Sequence, residues 1–178
     1  MESDDLPAII VLNFTDDMYK YKYDGDVRIA TTADMKDFLN RWKQGLVPPY
    51  FKEDEKPDNN TDELTVVVTS TFDELVMDND NDVFIKFYSD SCGHCRNMKQ
   101  TWIDLANKLE VVPKLTIAEI DAVHNEIEGL DIDGYPTILL FVGGNKEQPI
   151  EFSGERSVEN FENFLSQNSP AYKKYIGT

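Results

Sequence analysis

The run Val83-Phe84-Ile85-Lys86-Phe87-Tyr88 constrains this chain more than any other stretch. Near-continuous apolar character over that length reads as a strand covered on both faces, and such a strand needs packed layers above and below it. Past the turn residues Ser89-Asp90-Ser91, Met98, Trp102, Leu105 and Leu109 recur at helical spacing until Pro113 stops the pattern. Further strands are expected at residues 64–68 and 115–120, and a hairpin pair at 137–142 and 150–152 around Gly143-Gly144. Thr71-Phe72-Asp73-Glu74 has capping-box spacing and predicts a short helix. A short irregular helix is expected at 125–129, and Ser157 caps a last helix with Val158, Phe161, Phe164 and Leu165 on one face. The order predicts one α/β domain over residues 62–168, a central mixed sheet with helices on both faces.

Residues 1–48 are too few for an ordinary independent core. An internal repeat accounts for them. Leu6-Pro7-Ala8-Ile9-Ile10-Val11-Leu12 parallels Tyr135-Pro136-Thr137-Ile138-Leu139-Leu140-Phe141, and Lys22-Tyr23-Asp24-Gly25-Asp26 parallels Glu151-Phe152-Ser153-Gly154-Glu155. Met35, Phe38 and Leu39 then fall where Phe161, Phe164 and Leu165 fall in the final helix. The N-terminal piece is therefore expected to be the back half of a second copy of the same fold, in a piece of a longer tandem-domain protein. An acidic linker containing Pro and Asn is expected at 49–61, and a tail at 169–178.

Thirty-four Asp and Glu against seventeen Lys and Arg leave a net charge of −17, which repels nucleic acid and anionic lipid. Neither is expected as a partner. No run approaches the ~18 apolar residues of a membrane span. Met1-Glu2-Ser3-Asp4-Asp5 lacks the pattern of a signal peptide, and Tyr175-Ile176-Gly177-Thr178 is not a retention tetrapeptide.

The only two cysteines stand in Cys92-Gly93-His94-Cys95, where the buried strand feeds the helix. Thiols one helical turn apart can close a disulfide with little backbone movement. The free N–H groups and partial positive charge of a helix N-terminus stabilise the Cys92 thiolate and make it the attacking nucleophile. His94, if protonated, adds positive charge beside it. Both effects favour the reduced form, so the disulfide should be oxidising. Cys95, one turn deeper, is expected to be less exposed and to act as the resolving thiol. A structural zinc site would need four ligands, and His94 is squeezed between the thiols. A permanent structural disulfide would gain little from so short a loop. A single-cysteine hydrolase leaves the second cysteine unexplained. No metal and no cofactor beyond the redox-active pair is expected.

Taken together with Gly134-Tyr135-Pro136-Thr137 and Gly154-Glu155-Arg156, the stretch from Val83 to Cys95 resembles the C-terminal catalytic, thioredoxin-like domain of the protein disulfide isomerase family. The resemblance covers residues 62–167, and residues 1–48 resemble the end of that family's preceding non-catalytic, substrate-binding domain. It implies that Cys92 is the nucleophile, Cys95 the resolving cysteine, and His94 the residue that raises oxidising power. It implies a cis-proline at Pro136 facing the dithiol, with the backbone beside Tyr135 pairing with extended substrate. Arg156 matches a mobile arginine that swings toward the second thiol and lowers its pKa. The implied partners are unfolded or misfolded secretory proteins, with glutathione or a thiol oxidase exchanging with the pair, in the endoplasmic-reticulum lumen. Asn59-Asn60-Thr61 and Asn13-Phe14-Thr15 are sequons compatible with that address.

This sequence departs from the family pattern in four places. Ser91 replaces a tryptophan, which reduces the apolar rim around the thiols. Gln100 replaces a proline, which predicts a straighter helix. Lys86 stands where the family has a buried glutamate, and Glu119 where it commonly has that glutamate's lysine partner. A buried lysine on a doubly covered strand needs a partner, so the pair is expected to be exchanged, with Glu119 able to accept the proton of Cys95.

Three functions remain open. The first is a thiol–disulfide oxidoreductase and isomerase working through Cys92 and Cys95. The second is a redox-weak chaperone module in which Ser91 and Lys86 have blunted catalysis while the Pro136 groove holds peptides. The third is a reductive thioredoxin-like protein, which His94 disfavours.

Overall fold

The computed structural model describes residues 7–14, 18–57 and 64–177. The chain divides into two compact units, Met1–Lys52 and Glu53–Thr178. In the first, strands β1 (Ile10–Phe14) and β2 (Met18–Lys22) pair antiparallel, with Leu12 opposite Lys20. Helix α1 (Thr32–Lys43) follows. Thr31 opens it as a capping box: its hydroxyl accepts the Asp34 N–H, and the Asp34 carboxylate accepts the Thr31 N–H at 2.7 Å. Arg41 and Lys43 suit the negative C-terminal end. Phe38 is the fully buried anchor, edge-on to Tyr23 at 5.5 Å.

The second unit runs β3 (Thr65–Val66), β4 (Asp82–Tyr88), α2 (Gly93–Leu109), β5 (Leu115–Asp121), β6 (Thr137–Val142), β7 (Asn145–Glu151), α3 (Val158–Asn168) and α4 (Pro170–Ile176). Its sheet has the order β3-β5-β4-β6-β7. β3 and β4 lie parallel to β5, while β6 is antiparallel to β4 and β7. The apolar run of the sequence is thus the central strand, and its two faces separate by the two-residue period. Val83, Ile85 and Phe87 pack with Phe72, Val76 and Phe141. Phe84 packs on the opposite face with Met98 and Trp102 of α2 and Phe161 and Leu165 of α3. The Trp102 indole donates to the Ala118 carbonyl at 3.1 Å, so its polar edge is satisfied inside the core. Helix α2 runs uninterrupted past Gln100, whose amide donates to Asp104 one turn on.

The structure differs from the sequence reading in several places, one of them β7, expected at 150–152 and found over Asn145–Glu151 because the Gly143-Gly144 turn returns the chain at once. Thr71 does not cap Glu74: its hydroxyl accepts the Val68 N–H at 3.0 Å, and β3 is only the two residues Thr65–Val66. Beyond it, residues 69–71 form a 3-10 turn and residues 73–77 a π-type turn. The carbonyls of that segment are claimed by side chains, Glu74 and Leu75 by the Asn79 amide and Val76 by the buried Lys146 ammonium at 2.5 Å. Residues 125–129 are not helical, because Asn125 uses its side chain to bind backbone. Residues 169–178, expected as a tail, contain α4, which Ser169 caps, with Pro170 in its first turn.

The buried carboxylate of Asp82 fixes these outer elements to the start of β4. It accepts Ser169 Oγ at 2.6 Å, the Ala171 N–H at 2.9 Å and the Gly143 N–H at 2.8 Å. A side chain at Gly143 would come within 2.3 Å of the Asp80 carbonyl, and Gly144 has φ +82°, so the β6–β7 turn needs both glycines. The stretch expected as a linker crosses the divide between units: residues 49–52 fall in the first and 53–57 in the second. Residues 58–61, with the Asn59-Asn60-Thr61 sequon, lie outside the described residues, as do Asp62 and the Thr15 of the second sequon.

Candidate active site

Where β4 ends, Ser89 turns the chain by accepting the Cys92 N–H at 3.0 Å. Cys92 is the N-cap of α2, with extended backbone, and its sulfur accepts the Cys95 N–H at 3.3 Å. The thiol therefore occupies the place a capping oxygen usually takes, at the positive end of a seventeen-residue helix. A hydrogen bond from the Cys95 thiol holds Cys92 below the ordinary thiol range, helped by the N–H groups of Cys95 and His94 and by the Arg156 charge. Cys95 is its opposite. Burial, then proton sharing with Cys92, push its thiol up to about 11, against the Ser89 N–H and the Lys86 charge. Both thiols are free, Cys92 half-buried and Cys95 buried.

Across from them, the Cys92 thiol donates to the Tyr135 carbonyl at 3.3 Å. The Tyr135–Pro136 bond is cis. Tyr135 is held by its hydroxyl, which donates to the Ala122 carbonyl at 3.4 Å. The exposed Arg156 guanidinium donates to the Pro136 carbonyl at 3.5 Å. Ser91 is exposed, and its hydroxyl lies 2.8 Å from that of buried Ser89. Gly93 and His94 form the exposed first turn of α2, and a side chain at Gly93 would meet only the tip of Arg96 at 3.9 Å.

Beneath Cys95 lies the charge pair anticipated from the sequence. Lys86 and Glu119 are register partners on β4 and β5, and Lys86 Nζ is 2.6 Å from Glu119 Oε2. The lysine side chain is 3% exposed and the glutamate 15%. A small cavity joins both to Cys95, Tyr88 and Ser89. Sequence reasoning missed Tyr88 and Ser89. The two-residue period from Lys86 places Tyr88 on the same face, a signal that was available.

It also missed Asn125, whose buried amide is saturated with bonds. Its oxygen accepts the Asp54 N–H at 3.1 Å and the Thr69 N–H at 3.2 Å. Its nitrogen donates to Asp54 Oδ2 and to the Asp121 carbonyl, both at 3.0 Å. The Glu53 carboxylate accepts the Ser70 N–H at 3.0 Å.

Comparison with known proteins agrees with this geometry. Residues 63–167 match the family described as Thioredoxin. The protein disulfide-isomerase of Aspergillus oryzae (strain ATCC 42149 / RIB 40) is 36% identical over 149 residues, 84% of this chain and 28% of that protein. The protein disulfide-isomerase of Gallus gallus is 30% identical over 167 residues, 93% of this chain and 32% of that protein. The chain thus spans about three-tenths of the length of these relatives. Among solved structures, the first thioredoxin domain of mouse protein disulfide-isomerase A4 superposes with TM-score 0.50 at 26% identity, covering 64% of this chain and 82% of that one.

Proposed function

From the premise that this chain belongs to the thioredoxin family, as a member of its protein disulfide-isomerase group, we propose that it forms, reduces and rearranges disulfides in folding secretory proteins. Thiol–disulfide oxidoreduction follows from the family and the cysteine pair; isomerase action on secretory substrates is the finer reading. The observation that carries it is the placement of two free thiols one turn apart, Cys92 half-buried as the N-cap of α2 with its sulfur accepting the Cys95 N–H, and Cys95 buried behind it.

The Cys92 thiolate attacks a substrate disulfide and forms a mixed disulfide. Cys95 then either attacks Cys92, releasing reduced substrate, or waits while a substrate thiol rearranges the bond. Burial of Cys95 favours the wait, since few of its thiols are ionised at neutral pH. An extended substrate segment lies along Tyr135 and Pro136, whose carbonyls already bind Cys92 and Arg156. Ser91 leaves the rim open, and Glu119 accepts the Cys95 proton. Glutathione or a thiol oxidase restores the disulfide. The endoplasmic-reticulum lumen, where such bonds persist, is the proposed compartment. Among the described residues no helix is long and apolar enough to cross a membrane.

Refolding of a scrambled disulfide-containing protein tests the reading: Cys92→Ser should abolish recovery. A chaperone module would retain it. The reduction potential separates the isomerase from a reductant, with about −180 mV expected and about −270 mV marking the reductant.

A further inference from the structure

β6 joins the ladder with β4 at Thr137, opposite Phe87, so the backbone of Tyr135 and Pro136 lies before its first rung. Among the described residues no backbone N–H donates to the Tyr135 carbonyl, and its partner is the Cys92 thiol at 3.3 Å. Tyr135 is half-buried and is held from its far end, where its hydroxyl donates to the Ala122 carbonyl at 3.4 Å. A backbone carbonyl outside any ladder is the kind of acceptor to which an extended segment adds. The same oxygen therefore has two claimants, the thiol and an incoming N–H.

The two act differently on Cys92. Donors around its sulfur favour the thiolate: the Cys95 thiol, the N–H groups of Cys95 and His94, and the Arg156 charge. The Tyr135 carbonyl favours the thiol, because it accepts the proton that a thiolate has lost and would turn its lone pairs toward a negative sulfur. The titratable and charged groups on the surrounding elements are Cys95 and His94 on α2, Asp90 after β4, Glu155 and Arg156 before α3, and the Lys86–Glu119 pair behind Cys95. All of these are present with or without substrate. The carbonyl is the partner that substrate can take.

We infer that the Tyr135 carbonyl is a substrate-operated latch on the nucleophile: it holds the Cys92 proton in the free chain, and an extended segment that donates an N–H to it releases the sulfur to ionise. The inference rests on the reading of residues 135–136 as the backbone that pairs with substrate. The released proton passes to water, and no bond between sulfurs forms or breaks until the thiolate attacks. Cys92 is thus most nucleophilic when a polypeptide segment already lies beside it, and less so toward a small reagent that meets the empty cleft.

The test uses the reduced full chain and, as probe, an unfolded protein whose cysteines all carry neutral carbamidomethyl caps, which can pair but cannot exchange. Alkylation of Cys92 by iodoacetamide is followed across pH by mass spectrometry, with and without saturating probe. The midpoint of the Cys92 profile should move to lower pH by about 0.5 or more, which is about threefold or more in rate on the acid side. A probe that merely shields Cys92 slows alkylation at every pH and leaves the midpoint where it was, and that result overturns the inference. Cys95→Ala retains a single thiol, so the S–H stretching band in its infrared spectrum belongs to Cys92. At acid pH that band should lie at a hydrogen-bonded frequency in the variant alone and move toward that of a free thiol when probe is added. A free-thiol band without probe, a band that the probe leaves in place, or a midpoint shift that vanishes in Cys95→Ala also overturns it. Binding is followed separately by anisotropy of labelled probe; if none binds, the reading of residues 135–136 as the pairing backbone falls, and the latch with it.

Discussion

The two faces of β4 use the same backbone differently. On one, Val83, Ile85 and Phe87 are fully buried and purely apolar. On the other, Phe84, Lys86 and Tyr88 pass from hydrocarbon through a buried charge to a phenol as the strand nears the cysteines. One face only holds the sheet together, while the other also carries the buried charge pair that shares a cavity with Cys95. A single strand thereby presents one purely apolar face and one mixed face, with a period of two residues.

Substitutions on the two faces should break or sharpen that contrast. Phe87→Ala should cost roughly 3–5 kcal/mol in urea unfolding, the range for an aromatic removed from a core. Yet the pH profile of Cys92 alkylation in its folded fraction should not change. Lys86→Ala should cost a similar ~3–5 kcal/mol by leaving Glu119 unpaired. Adding Glu119→Ala should return part of that loss; identical urea midpoints for the single and double variants would mean the pair contributes nothing. A smaller effect, about 1–3 kcal/mol, is expected for Asn125→Ala, which strands several buried polar groups. Faster hydrogen exchange at residues 53–57 would report the released segment.

At the thiols themselves the sign can be worked out. Thiolates alkylate and thiols do not, so each rate rises with pH through its own ionisation, Cys92 below the usual thiol range and Cys95 near 11. Cys95→Ala removes the largest cause of the Cys92 depression, so the Cys92 profile should move to higher pH and alkylation near neutrality should slow. The smallest effect belongs to Gly93→Ala. The open space at that position and the better helix propensity of alanine predict a change within about 0.5–1 kcal/mol, toward greater stability.

How far the sequence could be read follows from how each feature is encoded. β4, α2, β6 and α3 carry periodicities of two and 3.6, and these were legible; β7 was expected only at 150–152, whereas it starts at Asn145, directly after the Gly143-Gly144 turn. The Lys86–Glu119 pair was legible too, because one charge interrupts an apolar run and the next parallel strand offers its opposite in register. The π-type turn at 73–77 was not, since Lys146 reaches it from about seventy positions away. Nor was the turn at Asn125, an isolated polar residue whose partners Asp54 and Asp121 share no pattern with it. Contacts made by single side chains across long separations leave no repeat to detect. Local rules could have found α4, since Ser169-Pro170 is a helix start.

The bonds from Glu53 and Asp54 bear on where the second unit could be cut free. Thr69 and Ser70 open the first turn of their segment, where backbone N–H groups have no helical acceptor, and the Asn125 amide and the Glu53 carboxylate supply one to each. A piece beginning at residue 62 would remove Glu53 outright and leave Asn125 without both of its bonds to Asp54. The excised domain would keep every strand, helix and cysteine and still be a looser protein than one begun at Glu53. The second compact unit therefore extends beyond the stretch matched to its family, on its N-terminal side by the residues that close its first turn.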